Sequence, residues 1–362
     1  MFIFGHIKFD KNREKYIFVS EQHSFMKLRI LLTGASGSVG YEVLKQLVSQ
    51  KDRFEITVFD LKTPKSEKLL EKFKDDIRLF YGDISDPDTT IEASEKQDFV
   101  IHLAALIPPA AYKNKVFTEK INAGGTQNLI ANLEKYSPGA FFAYSSSVAT
   151  YGDRLTDYYI KVTDPLKPSL GDYYAETKIM AEKAVRNSKL RWTIFRLSAI
   201  MGAENHKISG LMFLMPLETP VEITTPEDTA RAFVNAIDHK DELQGRTFNL
   251  GGGEKNRIVY SGLLQKSFDI YGLGKLNFPE GAFAERNYHC AYYADSDDLE
   301  NILHFRRDTM DTYFQKVKAS VPAFQRLITK MVGNIVKKSL LAKSEPYAAF
   351  KSDDKEKMKL YF

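Results

Sequence analysis

The chain has 362 residues, of which 43% are hydrophobic and 27% charged, a composition typical of a globular protein with a sizeable core. Its formal net charge of +4 is too small to indicate nucleic-acid binding, and its single cysteine, Cys290, excludes an internal disulfide and a thiolate metal cluster. No apolar run reaches the roughly 18 to 20 residues that span a bilayer, and the first 20 residues hold no continuous apolar segment of signal-peptide length, so we expect a cytoplasmic protein without a metal.

The first 25 residues precede the first well-defined strand pattern, and we expect residues 1–25 to form an N-terminal extension. From residue 26 to about 198, apolar strand patterns alternate with helical patterns. Such alternation predicts an α/β fold with a doubly wound parallel sheet covered on both faces. The predicted strands are 28–32, 55–60, 77–80, 98–103, 140–145 and 192–197, and the predicted helices are 39–49, 64–73, 88–95, 115–135 and 172–188.

The regular alternation ends after residue 198. Residues 199–225 contain two glycines and two prolines and predict mostly loop, followed by a helix over 227–237 and a strand over 246–250. Segment 254–304 predicts short helical pieces. We therefore expect residues 199–304 to form a small substrate-binding lobe interleaved with the main sheet.

The segment Thr33–Gly40, with sequence TGASGSVG, joins the first strand to the first helix. Glycines there allow a sharp turn and a close backbone approach to a ligand, and the helix N-terminus offers N–H groups and a positive dipole end to a pyrophosphate. Asp60 ends the next strand, where a carboxylate can bind both ribose hydroxyls of an adenosine. Because it would repel a 2′-phosphate, Asp60 favours NAD over NADP, although Lys62 lies close enough to soften that preference.

Tyr174 and Lys178 stand four positions apart on a predicted helix and therefore share a face. A nearby ammonium group favours the phenolate and lowers the pKa of a tyrosine, which would let Tyr174 exchange a proton with an alcohol. Ser147 follows the strand pattern of 140–145, and ligands of open parallel sheets bind outside such strand ends. His102 lies within an apolar strand, and we expect it to be a core residue.

These motifs together resemble the extended short-chain dehydrogenase/reductase family, in its NAD-dependent epimerase/dehydratase branch. The resemblance extends over about residues 27–250 and includes Gly82-Asp83-Ile84, His102-Leu103-Ala104-Ala105 and the segment NAGGTQNL from Asn122 to Leu129. It implies a Rossmann-type fold, hydride transfer at a carbinol carbon and a homodimer formed through helices near 115–135 and 172–188. It implies that Ser147, Tyr174 and Lys178 are catalytic, and that the coenzyme is bound by Gly34, Ser36, Gly37, Ser38, Val39, Gly40, Asp60, Asp83, Ile84, Leu103, Ala104, Ala105, Asn122, Tyr174 and Lys178.

The sequence departs from the family pattern at positions that bear on the substrate. Family dehydratases carry an acidic pair where this chain has Val148 and Ala149, and the asparagine that epimerases usually place three residues after Arg196 is Ala199 here. An NAD-dependent oxidoreductase acting on a secondary alcohol or ketone therefore competes with a sugar-nucleotide 4-epimerase that keeps its NAD bound. A third hypothesis is a catalytically silent NAD(P)-sensing protein. The presence of Ser147, Tyr174 and Lys178 argues against it. We expect the substrate to be a small molecule, either a sugar nucleotide or a less polar alcohol or ketone.

Residues 305–362 form a basic tail with thirteen Lys and Arg against six Asp and Glu. Apolar residues recur at helical spacing between Leu327 and Leu340, with lysines interleaved. A basic amphipathic helix of this kind can lie on an anionic membrane surface or can pack its apolar face on the body or on a second subunit. We favour packing, and keep peripheral membrane contact as the alternative.

Overall fold

The computed structural model describes residues 26–203 and 208–362, together with the backbone of residues 5–10 and 15–20. The strands in these segments are β1 (Gly5–Asp10), β2 (Lys15–Ser20), β3 (Leu28–Thr33), β4 (Phe54–Asp60), β5 (Ile77–Tyr81), β6 (Phe99–His102), β7 (Phe141–Ser147), β8 (Tyr159–Ile160), β9 (Arg191–Leu197), β10 (Ala199–Ile200), β11 (Pro220–Thr224), β12 (Arg246–Leu250), β13 (Arg257–Val259) and β14 (Tyr292–Tyr293). The helices are α1 (Ser38–Val48), α2 (Pro64–Leu70), α3 (Lys115–Glu119), α4 (Gly125–Tyr136), α5 (Tyr173–Asn187), α6 (Pro226–Asn235), α7 (Lys240–Leu243), α8 (Tyr260–Tyr271), α9 (Asp297–Leu303), α10 (Met310–Ser320), α11 (Ala323–Leu341), α12 (Glu345–Ser352) and α13 (Lys355–Tyr361).

Seven parallel strands form the main sheet in the order β12-β9-β7-β6-β3-β4-β5. This arrangement confirms the predicted doubly wound α/β fold. The strand order reverses between β3 and β6, because the chain runs outward from β3 to β5 and then returns to β6. Ligands of such sheets bind in the crevice outside the carboxyl ends of the strands at this reversal.

Helices cover both faces of the sheet, as the alternating pattern predicts. Helices α1, α6 and α9 pack on one face, where Leu44, Phe233 and Leu299 belong to the same buried cluster as the strand residues. Helices α4 and α5 pack on the other face through Leu133 and Val185. Because the strands are buried on both faces, their sequences are continuous apolar runs. The same burial stabilises the sheet and fixes the positions of the carboxyl ends of its strands.

A second core belongs to the lobe that follows the main domain. It joins Phe213, Tyr260 and Phe268 with Met310 and Leu340 of the basic tail, so the tail helices share the core of the lobe. Residues 199–225, predicted as mostly loop, contain β10 and β11, which form a small sheet with β13. These strands are two to five residues long, and their pairing with distant segments is not visible in local sequence.

Two other segments differ from the prediction. The helix predicted over 88–95 is a pair of 3₁₀ turns, Pro87–Thr90 and Glu92–Ser94, the first capped by the Asp86 side chain. The helix predicted over 115–135 is interrupted by a π-helical turn, Lys120–Gly124, between α3 and α4. Such turns occur often at functional sites.

The N-terminal segment contains an antiparallel pair, β1 with β2, that forms a sheet of its own. Residues 1–4, 11–14 and 21–25 lie outside the described residues, and an extension over 1–25 stays a prediction. Within the described part of the chain, no helix combines the length and apolarity needed to cross a membrane. That same part contains no cluster of histidine, cysteine and acidic side chains able to hold a metal ion.

Candidate active site

The glycine-rich loop closes tightly against the start of α1. Gly34 has a φ of +78°, and a Cβ atom there would lie 2.8 Å from the backbone nitrogen of Ala104. A Cβ atom on Gly40 would lie 2.1 Å from the carbonyl oxygen of Gly34. The N-cap of α1 is Gly37, which has no side chain to cap the first turn. The loop therefore needs glycine at 34 and 40, and the first turn of α1 is suited to an anionic group.

A small cavity of about 140 Å³ lies beside this loop, at the ends of β4, β5 and β6. Its lining includes six of the predicted coenzyme residues: Gly34, Asp60, Asp83, Ile84, Ala104 and Ala105. The Asp60 carboxylate accepts hydrogen bonds from the Ser36 backbone N–H at 2.7 Å and from the Ser36 hydroxyl at 3.0 Å. Because a carboxylate has about four acceptor positions, these bonds hold Asp60 in place and leave capacity for further hydroxyl donors. Burial raises the pKa of Asp60, although the bonds from Ser36 oppose that effect.

The π-helical turn and the start of α4 hold two of the surrounding loops and helix α5. Asn122 exchanges hydrogen bonds with the backbone of Leu106, and its amide also donates to Thr177. The Asn128 amide donates to the carbonyl oxygens of Ile84 and Ser85. Asn122 lines neither this small cavity nor the larger cavity beside Ser147, Tyr174 and Lys178, and it acts on the site by holding the segment that follows β6.

His102 is a buried structural residue, as the sequence predicts. Its Nδ1 atom lies 2.7 Å from the Thr33 hydroxyl oxygen and its Nε2 atom 3.0 Å from that of Thr126. Burial lowers the pKa of His102 to about 3, so the ring is neutral at physiological pH. Both ring nitrogens have hydroxyl partners, which fits a positioning role between β3 and α4.

The three predicted catalytic residues meet at the carboxyl end of β7. Tyr174 and Lys178 lie one turn apart on α5, and the Ser147 hydroxyl is close enough to the Tyr174 phenol to affect its pKa. The Lys178 Nζ atom donates to the Ser145 carbonyl oxygen at 2.7 Å and lies 5.9 Å from the Tyr174 ring centre. All three side chains line a cavity of about 360 Å³, together with Gly34, Gly37, Ser38, Val39, Gly40, Leu103 and Ala105.

The electrostatics of the pair differ from the expectation that Lys178 lowers the pKa of Tyr174. Burial raises the pKa of Tyr174, the Ser147 hydroxyl opposes this only in part, and the Asp172 carboxylate adds to the rise. Burial also lowers the pKa of Lys178 to about 7, against the opposing effect of Glu182. Loss of hydration outweighs the attraction between the two groups, so the amine and not the phenol titrates near neutrality.

A buried ion pair between Glu182 and Arg196 stabilises strand β7 next to Ser147. Both carboxylate oxygens of Glu182 accept from the Arg196 guanidinium, at 2.9 and 2.8 Å, and one also accepts from the Ser146 hydroxyl at 2.6 Å. Arg196 and Glu182 are buried on β9 and α5 respectively. The pair therefore ties α5, which carries Tyr174 and Lys178, to the two strands beside it.

The outer wall of the catalytic cavity is apolar and aromatic. A neighbouring cavity of about 470 Å³ shares Pro108, Met215, Tyr260 and Tyr288 with it. Among the described residues that line either cavity, the ionisable side chains besides tyrosine and cysteine are Lys178 and His289. The remaining apolar and aromatic lining side chains include Ile107, Met201, Val221, Leu263, Ile208, Leu211, Met212, Leu264, Tyr271, Tyr313 and Val317.

Sequence reasoning missed one polar pair, in which His289 lines the catalytic cavity and Asp172 lies behind it. The Nδ1 atom of His289 lies 2.9 Å from the carboxylate of Asp172, which also caps the N-terminus of α5. Burial raises the pKa of the Tyr112 phenol, and the negative charge of Asp172 adds to that rise. Asp172 and His289 are 117 residues apart and belong to no local motif, so only the folded chain brings them together.

Residues 30–251 match the NAD dependent epimerase/dehydratase family. The chain belongs to this family. The match includes the glycine-rich loop, the Ser147, Tyr174 and Lys178 group and the last strand of the main sheet, and it ends before the tail helices.

Two curated proteins illustrate the range of chemistry among relatives. The chain is 26% identical to sanguinarine reductase from Eschscholzia californica over 255 residues, which cover 63% of this chain and 90% of that protein. It is 25% identical over 307 residues to 3 beta-hydroxysteroid dehydrogenase/Delta 5-->4-isomerase of Vaccinia virus (strain Western Reserve), covering 79% and 87% of the two chains.

Solved structures share the fold of this family member. A short-chain dehydrogenase/reductase superfamily protein from Agrobacterium tumefaciens with bound NAD superposes with a TM-score of 0.64 at 22% identity, over 84% of this chain and 99% of that one. DesIV, a dTDP-glucose 4,6-dehydratase from Streptomyces venezuelae with NAD and TYD bound, gives a TM-score of 0.67 at 20% identity, over 81% and 96% of the chains.

Proposed function

We propose that this family member is an NAD-dependent oxidoreductase that interconverts a secondary alcohol and a ketone on a largely apolar small molecule. The observation that carries the proposal is the meeting of Ser147, Tyr174 and Lys178 at the base of an apolar, aromatic cavity. Hydroxyl, phenol and amine groups at that point can exchange a proton with a substrate oxygen.

The residues at the carboxyl ends of the parallel strands fit NAD. Gly34 and Gly40 leave space where a Cβ atom would collide with backbone, the first turn of α1 can receive a pyrophosphate, and Asp60 is held with acceptor capacity toward ribose hydroxyls. When bound, NAD supplies the acceptor or donor of the hydride. The Asp60 carboxylate supports NAD over NADP, since a 2′-phosphate beside it would be repelled.

The roles of the three side chains follow from their protonation. Tyr174, with its raised pKa, holds its proton at neutral pH and can donate it to a substrate oxygen as that oxygen gains negative charge. Ser147 lines the same cavity as Tyr174 and can donate to the same oxygen. The Lys178 ammonium form stabilises the phenolate that remains. A protonated phenol supports reduction of a ketone as the favoured direction at neutral pH.

The substrate class rests on the cavity wall. A sugar nucleotide carries a diphosphate, which proteins usually meet with arginine, lysine or backbone donors. In the described part of the lining, Lys178 is the one such cation, and it sits beside Tyr174. Val148 and Ala149, where family dehydratases carry acids, are buried apolar residues. The names of the two curated relatives, a reductase and a hydroxysteroid dehydrogenase, also favour an apolar substrate.

The test is a screen for NADH consumption by the purified protein. Apolar ketones, including steroid ketones, are compared with UDP- and dTDP-sugars, and the products are analysed for epimerisation without net NADH change. We expect consumption with members of the ketone set and none with sugar nucleotides. Ser147→Ala should remove the activity, while Ser188→Ala, which removes a hydroxyl bonded to Val185 away from the cavity, should retain it.

Epimerised sugar nucleotide at constant NADH would overturn the proposal in favour of a 4-epimerase, and coenzyme binding without turnover of either set would favour the silent NAD(P)-sensing protein.

A further inference from the structure

Helix α11 of the basic tail has two apolar faces. One face packs on the lobe: Gly333 and Leu340 are buried, and Val336 packs against the second core. Gly333 approaches the backbone of Leu273, where its ideal Cβ would lie 3.6 Å from the carbonyl oxygen. This face accounts for the packing that we expected of the tail, and it places the opposite side of the helix outward.

The opposite face is also apolar and remains exposed. Its six side chains have exposed fractions between 36% and 81%, and they lie within roughly 140° of the helix circumference at 100° per residue. They are Phe324, Leu327, Ile328, Met331, Val332 and Ile335. A stripe of six large apolar side chains is far more than the scattered exposed residues of an ordinary surface.

The segment that carries this stripe has charges of one sign. Residues 312–344 contain seven lysines and arginines and no aspartate or glutamate. Lys330, Lys338 and Lys343 are exposed and form no ion pair within the described part of the chain. A positively charged helix with an exposed apolar stripe matches the boundary between anionic headgroups and acyl chains.

We propose that α11 is a docking surface for an anionic lipid bilayer, lying flat with Phe324, Met331 and Ile335 inserted at the headgroup boundary. At about 1.5 Å per residue its 19 residues extend roughly 28 Å along the surface. The helix carries too many charges to cross the bilayer, which fits an interfacial position.

Charge argues against a second copy of the chain as the occupant. Pairing of α11 with itself would bring Lys330 and Lys338 of two copies together, with no acidic residue between 312 and 344 to neutralise them. Like charges placed side by side at an interface oppose association. An anionic bilayer neutralises the same groups and buries the same stripe.

The test is co-sedimentation of the full chain with vesicles of phosphatidylcholine alone and of phosphatidylcholine mixed with phosphatidylglycerol. We expect binding to the mixed vesicles only, weakened by high salt. Met331→Glu and the double variant Lys330→Glu/Lys338→Glu should each reduce the bound-to-free ratio roughly tenfold or more. The matched controls are Leu170→Glu and Lys68→Glu/Lys72→Glu, which change exposed positions outside the tail and should bind as the parent chain does.

Several results would overturn the docking surface. Equal binding to both vesicle types, or unchanged binding of the Met331→Glu variant, would exclude it. Self-association that Met331→Glu abolishes, measured by sedimentation velocity without lipid, would assign the stripe to a second copy. NADH binding by each variant, measured in parallel, reports on the integrity of the fold and on the coenzyme site independently of the vesicle result.

Discussion

At the residue scale, the catalytic pair is controlled more by burial than by the attraction between its members. The titratable groups around the Lys178 amine are Tyr144, Tyr174, His102 and Glu182. His102 is neutral and the pKa values of both phenols are raised by burial, so within this set Glu182 is the anion that opposes the fall in the pKa of Lys178. The pKa of the Lys178 amine therefore lies at about 7, and the charge of the site changes with pH in the physiological range.

The pKa of Lys178 near 7 predicts a pH dependence of the reductive reaction. Below about pH 7 Lys178 is charged and can stabilise the Tyr174 phenolate, and above it the amine is neutral and that stabilisation is lost. The kcat/KM for ketone reduction should therefore fall as pH rises through about 7, while Tyr174 stays protonated. A Lys178→Met variant should be slower and should lose this ionisation. A profile that is flat from about pH 6 to 8.5, or one that the substitution leaves unchanged, would contradict this assignment.

At the element scale, the strands and helices of the main sheet were predictable because each buries a continuous or periodic apolar pattern. Strand β9, for example, was expected over 192–197 and lies at Arg191–Leu197. Helix α5 and strand β7 brought Tyr174, Lys178 and Ser147 together as their motifs implied. The short strands β10 and β13, the π-helical turn and the Asp172–His289 pair were not predictable, because contacts between distant segments create them.

The glycine-rich loop gives a prediction at the same scale. In Gly40→Ala the added Cβ would lie 2.1 Å from the Gly34 carbonyl oxygen, so the loop must shift away from its pyrophosphate-binding shape. We expect the Kd for NADH, measured by fluorescence titration, to rise about tenfold or more. Gly139→Ala is the matched control, since its Cβ would meet nothing within 4 Å. Unchanged NADH affinity in a Gly40→Ala variant with parental Tm would show that the loop does not bind the coenzyme.

At the scale of the whole molecule, exposed apolar residues lie on two helices that the family resemblance assigns to a subunit interface. Val116 on α3 and Met180 on α5 are exposed, and the two helices pack against each other. We predict a homodimer, with a solution mass near twice the 41.3 kDa of the chain by light scattering. Val116→Glu/Met180→Glu should give the monomer mass, whereas Leu170→Glu should not. A monomer mass for the parent chain would exclude this assembly.

The central claim is that Tyr174 exchanges a proton with the substrate, next to a coenzyme site at the carboxyl ends of the strands of the main sheet. The most direct test measures Tyr174→Phe beside Tyr173→Phe, which removes a hydroxyl from the adjacent residue of α5. The Tyr174→Phe variant should bind NADH with unchanged affinity and lose roughly 10²- to 10⁴-fold in kcat, and the Tyr173→Phe variant should keep both properties. Equal turnover by the parent and the Tyr174→Phe variant would contradict the claim.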